Sequence, residues 1–264
     1  MKSLFAVVLM LSMNAFAQEC VKIRESKKAP NKSFNIVFVP SGFNDNLLAF
    51  EDTIRAGFEK ISAEYPPFGL EIDSINIVIT KPKKLNNSFC HKKDDGLLDC
   101  SFMETAELGR RCAPSGKKIT IVMHNSNGEW IRGNAQNNHV VLTNHPRFVG
   151  TILHEMGHAL FDLADEYSNG GPANEKNCSP LANKCSAWKD LIDAGLATCE
   201  PGCKGNQSFV DGNNIMKDSS ASSYGHSNQR LICCRYKKVT GEFPQFCEEY
   251  RNIGEGLERY CRSR

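Results

Sequence analysis

Residues 139–167 read HVVLTNHPRFVGTILHEMGHALFDLADEY. The opening HVVLT is a short β-rich run, so a strand is expected over 139–143. Asn144 or Thr143 can then cap a helix whose early Pro146 sits where a missing N–H does no harm. That helix carries His154-Glu155-Met156-Gly157-His158, an HExxH pattern. Four residues turn an α-helix by about 400° and advance it about 6 Å, so both imidazoles leave one face at a spacing that suits a single tetrahedral ion. Zinc is the expected ion. Glu155, one residue on from the first imidazole, is placed to take a proton from a water activated there and later to pass it to a leaving amine.

A third protein ligand is needed, and Asp162, Asp165 and Glu166 compete for the place. In a continuing helix Asp165 would stand about 16 Å along the axis from His154, too far to share an ion. The helix must therefore end near Phe161 to Leu163 and fold back. In metzincins a Gly three residues after the second His makes that turn, and the third ligand comes three residues later. Here those positions hold Phe161 and Ala164, so the usual signature is absent.

The longer string HEMGHALFDLADEY, 154–167, resembles the IgA-peptidase family of zinc metallopeptidases, whose motif is HExGH followed at a similar distance by Leu-x-Asp-Glu-Tyr. IVFVPSGFNDNLLAF (36–50), EYPPFGLEIDSINI (64–77) and NNIMKD (213–218) are similar to further stretches of that family, the last at its Met-containing turn. The resemblance implies a metzincin-like fold, zinc endopeptidase activity and the acid after Ala164 as third ligand. Asp165 accordingly ranks before Glu166, and Glu166 before Asp162. On this basis Met216 is expected as an apolar floor beneath the ion. Tyr167 or Tyr224 is a candidate hydrogen-bond donor to an oxyanion, and His226 is a spare ligand.

Outside the motif, the 264 residues carry 32 Lys+Arg against 30 Asp+Glu and 41% hydrophobic residues, which argues against both a disordered chain and a nucleic-acid binder. Met1-Lys2, the apolar run from Leu4 to Met13 and Ala15-Phe16-Ala17 together read as a signal peptide cut after Ala17. No later segment approaches about 18 apolar residues, so no membrane insertion is expected after cleavage. All 12 cysteines follow the cut, an even number that suits disulfides in an exported protein, secreted or periplasmic. A structural zinc site built from Cys199, Cys203, Cys233 and Cys234 is disfavoured, because their spacing does not form two CxxC knuckles. Adjacent Cys233 and Cys234, read as extended, would point to opposite faces and bond to different partners. No cysteine lies between Cys112 and Cys178, so the helix and ligand turn are expected to rest on metal and core packing alone.

Working outward, FNIVFV (34–39), the alternating Ile75, Ile77 and Ile79, and KITIVMH (118–124) read as strands. Leu47, Phe50, Ile54, Phe58 and Ile61 recur at helical spacing. Residues before 34 read as a polar lead. Residues 81–116, with Lys81, Lys83, Lys84, Lys92 and Lys93, read as a surface excursion held by disulfides. The expected fold is α/β (α+β), one domain over 18–264, with an N-terminal subdomain to 167 that includes the active-site helix and a disulfide-rich C-terminal subdomain over 168–264. Strand 139–143 is the expected sheet edge for an extended peptide, and substrate would lie between the two halves. The functional expectation is a monomeric, exported zinc endopeptidase acting on protein or peptide. A noncatalytic zinc-containing binding module and a metallohydrolase of nonpeptide bonds are the alternatives.

Overall fold

The computed structural model describes residues 20–43, 46–65, 72–81, 89–126, 129, 131, 134–136, 138–167, 177–180, 184–206 and 208–262. The expected signal peptide lies outside them. The fold is mixed α/β, and the chain divides into two compact units, residues 1–56 with 73–146 and residues 57–72 with 147–264.

In the first unit six strands form one sheet in the order β1 (Cys20–Arg24), β3 (Ile75–Thr80), β2 (Phe34–Ser41), β6 (Lys117–His124), β8 (His139–Thr143), β7 (Asn134–Gln136). The inner four run parallel, and β1 and β7 close the edges antiparallel. Strand β2 is buried along its whole length, which is why FNIVFVPS reads as a continuous run with no polar face. Helix α1 (Leu47–Glu64) follows it and buries Phe50, Ile54, Phe58 and Ile61, the spacing read from sequence.

Several expectations are corrected here. The polar lead contains β1, whose residues pair with β3 and whose Cys20 is bonded to Cys112. The excursion over 81–116 holds the hairpin of β4 (Cys90–Lys92) and β5 (Leu98–Cys100), tied by Cys90–Cys100, and helix α2 (Phe102–Cys112). That helix is short and predominantly polar, and only Thr105, Leu108 and Gly109 are buried in it, so it merges in sequence with the charged stretch around it. Strand β8 is not an edge: β7 covers it, from Asn134 opposite Val141 to Gln136 opposite His139.

The second unit contains α3 (Phe148–Phe161), the helix of the HExxH pattern. It starts two residues after Pro146, with Arg147 at its N-cap and no side-chain cap. Asn144 does not cap it; its side chain accepts from the Ser126 N–H and donates to Asn125. Helix α3 groups with the C-terminal segments: Tyr224 donates its hydroxyl to the Leu153 carbonyl, and a Cβ on Gly150 would stand 2.0 Å from the Ser219 carbonyl oxygen.

The rest of this unit comprises a small sheet in the order β10 (Glu200–Gly202), β11 (Ser208–Val210), β9 (Ser179–Pro180), with helices α4 (Lys189–Asp193), α5 (His226–Thr240) and α6 (Leu257–Arg262). Trp188, Leu191, Tyr250 and Leu257 form its core with the Cys233–Cys247 disulfide. Arg230 is buried there, paired with Asp190 at 2.6 Å and stacked 3.9 Å over the Tyr260 ring. Cys233 and Cys234 bond to Cys247 and Cys261, so their partners do differ, but they lie on α5 and not in an extended segment. With Cys178–Cys203 and Cys185–Cys199, all twelve cysteines are paired, which leaves no thiolate for a structural zinc site. Six disulfides fit an oxidising compartment. Among the described residues no helix is long and apolar enough to cross a membrane.

One buried ionisable group in the sheet has a measurable consequence. His139 in β8 lies 2.7 Å from the Thr105 hydroxyl, which itself donates to the Ser101 carbonyl. Burial pushes the imidazole down to about 4. The unfolded chain, with an ordinary His, therefore binds more protons than the folded one between about pH 6.5 and pH 4, so this residue costs stability as pH falls through that window. The urea midpoint should drop less between pH 7 and pH 4.5 in His139→Gln than in the wild type; equal drops would refute the assignment.

Candidate metal centre

The α-helical spacing brings His154 and His158 to one face of α3, their rings 4.8 Å apart at an interplanar angle of 87°. Each ring is oriented from behind. His154 Nδ1 lies 2.8 Å from the Ile215 carbonyl oxygen, and His158 Nδ1 lies 2.6 Å from that of Leu163. A carbonyl only accepts, so both protons sit on Nδ1 and both neutral rings present a bare Nε2.

Those two Nε2 atoms are 3.1 Å apart, and Asp165 Oδ1 is 3.0 Å from each. Three electron-pair donors thus converge on one point. A proton on one ring relieves only part of that repulsion, whereas a divalent cation bonded to all three relieves the whole of it. Tetrahedral zinc with ligands at about 2.0–2.1 Å separates its donors by about 3.3 Å, so the donor set fits the ion. Among the described residues this is the one group of three or more His, Cys, Asp or Glu able to hold a metal.

Asp165 is brought back to α3 by a turn that uses no glycine. Asp162 takes the left-handed conformation with φ 54°, which Asp tolerates better than most residues, and the Leu163 N–H donates to the Gly157 carbonyl at 3.0 Å. The helix therefore ends at Phe161, and the reversal comes one residue beyond the usual glycine position. Asp162 itself faces outward and pairs with Arg235, so it stands apart from the three donors.

Glu166 also turns away from the metal site. It is fully buried, and its carboxylate accepts from the side-chain amides of Asn177 at 2.8 Å, Asn228 at 2.8 Å and Asn214 at 2.6 Å. Burial pushes it up to about 7, against the three donors, which hold it down. The two neighbouring acids are thus separated by environment, one facing the imidazoles and the other caged in amides.

Charge in the site follows the same geometry. Burial would raise the Asp165 carboxyl, but the two imidazoles 3.0 Å away outweigh it and hold the group far below the carboxylate range. Burial would lower His158, yet Asp165 and the Leu163 carbonyl shift it upward. Glu155 is half-buried, and desolvation raises its carboxyl against the pull of both imidazoles.

Met216 is fully buried beneath α3. A Cβ on Gly157 would come within 2.4 Å of its sulfur, so the glycine of HEMGH permits this approach. Tyr167 is half-buried with its ring 6.2 Å from that of His154 and nearly parallel to it. Tyr224 is excluded as an oxyanion donor: it is buried, and its hydroxyl is spent on the Leu153 carbonyl. His226 lies elsewhere, 2.9 Å from the Tyr250 hydroxyl.

Sequence reasoning missed the groups that hold the ligands. Asn214 falls inside the NNIMKD stretch, but nothing in the sequence singled out Asn177 or Asn228. The two orienting carbonyls, on Ile215 and Leu163, are backbone atoms with no side-chain signal at all. The expectation that the ligand turn is independent of disulfides is corrected as well: Cys203 N–H donates to the Glu166 carbonyl at 2.8 Å, and Ala164 packs on the cluster of Cys178, Cys203 and Val210.

A donor set assembled only in the folded chain is stabilised by the ion it holds, so zinc at 100 times its dissociation constant should raise the unfolding free energy by about 2.7 kcal/mol. Calorimetry with and without a chelator measures this. A His158→Ala variant stabilised equally by zinc would place the ion elsewhere.

No protein-family model matches the chain, and no curated protein matches it. Among solved structures it is similar to archaemetzincin from Methanopyrus kandleri, at 13% identity over 88% of this chain and 97% of that one, with a TM-score of 0.34. A likeness of that size leaves the functional reading to the site itself.

Proposed function

We propose that the protein is an exported zinc-dependent endopeptidase. The observation that carries the reading is the convergence of His154 Nε2, His158 Nε2 and Asp165 Oδ1 on one point, with both rings committed at Nδ1 to backbone carbonyls. These three residues would hold the ion. When bound, zinc supplies Lewis acidity toward a carbonyl and makes water a stronger acid near neutral pH.

The remaining work belongs to the chain. Glu155, next to His154 on α3 and raised by burial, accepts a proton from the attacking water and delivers it to the leaving amine nitrogen. Ile215 and Leu163 keep the imidazoles in one tautomer through the cycle, so neither ring competes for that proton. Tyr167, whose ring lies beside that of His154, would be the donor to the developing oxyanion. Export is supported by the six disulfides and the signal-like N-terminal sequence.

A binding module with a purely structural ion fits less well. Structural zinc sites are closed by four protein ligands, and the converging group here has three members among the described residues.

Casein zymography and peptide cleavage by the purified protein test the reading. Glu155→Gln should retain zinc and lose about 10²- to 10⁴-fold in activity, and a chelator should abolish the rest. Cleavage indifferent to both treatments would refute the zinc mechanism, and stoichiometric zinc without any peptide cleavage would favour the binding module.

A further inference from the structure

Asp165 is flanked by two residues that are clamped while its own side chain is left to face the imidazoles. On one side, Asn177 bonds both backbone groups of Ala164, accepting from its N–H at 2.8 Å and donating to its carbonyl at 2.9 Å. On the other, the Glu166 N–H donates to the Met216 carbonyl at 2.9 Å, and the Glu166 carbonyl accepts from Cys203. The buried Glu166 carboxylate then gathers the amides of Asn177, Asn214 and Asn228, which come from three separate segments of the second unit.

Asn214 extends this grip to the opposite ligand. Its Oδ1 accepts the Met216 N–H at 2.9 Å while its amide donates to Glu166 and to the Asp211 carbonyl. The residue between Asn214 and Met216 is Ile215, whose carbonyl orients His154. Asn228, on α5, donates also to the Tyr224 carbonyl, and the Tyr224 hydroxyl bonds back to α3 at Leu153. One buried carboxylate therefore joins the turn that carries Asp165, the loop that orients His154, and the helix that carries both histidines.

From this we infer that Glu166, with its three asparagine amides, is the positioning residue of the metal centre, setting the place of Asp165 Oδ1 and the tautomer of His154 without itself touching the ion. The inference rests on the zinc reading proposed above and assigns a role to an acid that the motif alone leaves as a competing ligand. Its chemistry is specific to a carboxylate. Glutamine at 166 has the same shape, but it must turn an NH₂ toward an asparagine NH₂, leaving one buried donor pair unsatisfied.

The test measures zinc affinity by chelator competition and the visible d–d spectrum of the cobalt(II)-substituted protein, which reports ligand geometry independently of peptidase activity. Glu166→Gln should bind zinc about 10- to 100-fold more weakly and show a shifted cobalt spectrum. Asn228→Ala, which keeps the carboxylate and removes one donor, should show the same changes to a smaller degree and covers the case in which Glu166→Gln does not fold. Leu191→Ala, in the Trp188 core of the same unit and with no bond to the asparagine cage, should lower the thermal midpoint while leaving zinc affinity and cobalt spectrum unchanged. Wild-type affinity and spectrum in the Glu166 and Asn228 variants would overturn the inference, as would an equal loss of affinity in Leu191→Ala, since the effect would then be general destabilisation. Failure of the wild type to bind zinc or cobalt at all would overturn the zinc reading and this inference together, an outcome distinct from metal binding that ignores position 166.

Discussion

Three atoms with bare lone pairs, two imidazole nitrogens and a carboxylate oxygen, are held about 3 Å apart in a partly desolvated site. That arrangement is repulsive without a proton or cation among the three, and backbone carbonyls and the turn after α3 hold it in place. Helical periodicity places the first two atoms at no further cost. The third needs a chain reversal, a left-handed residue to make it and hydrogen bonds on both sides to keep it. Ordered structure thus goes into holding three metal-ligand-type atoms together, and preorganisation of that kind is how metal sites in general obtain affinity and selectivity for geometry.

Glu166 shows how that investment is secured. A buried carboxylate is expensive unless its hydrogen bonds are satisfied; here three asparagine amides do so, each from a different segment. Amides supply donors without adding opposite charge, so the cage does not compete with the cationic ion nearby. Beneath it, Met216 and Gly157 meet at a distance that admits no Cβ, and the Cys178–Cys203 disulfide lies beside the ligand turn. One disulfide of the C-terminal segment therefore borders the chemistry.

The central strands and α1 were legible because they are simple cases: continuous apolar runs for β2 and β6, alternation for β3, and a regular helical stripe from Phe50 to Ile61. The pieces that escaped are two short edge strands, β1 and β7, and a predominantly polar helix, α2, that buries only three residues. Strand β8 was found but misplaced, because whether a strand is covered depends on a partner, β7, too short to announce itself.

By itself the sequence determined the two histidines, their shared face, the adjacent Glu155 and the need for a reversal after Phe161, because each follows from helical geometry and side-chain chemistry over a few residues. It also determined that twelve cysteines would seek an oxidising environment. Tertiary structure decided what local rules do not reach: which of three neighbouring acids faces the imidazoles, which cysteines pair, and which backbone carbonyls orient the rings. Asp165 and Glu166 are adjacent acids of the same chemistry, and what separates them is the position of Asn177, Asn214 and Asn228, residues distant in sequence that meet only when the chain is folded.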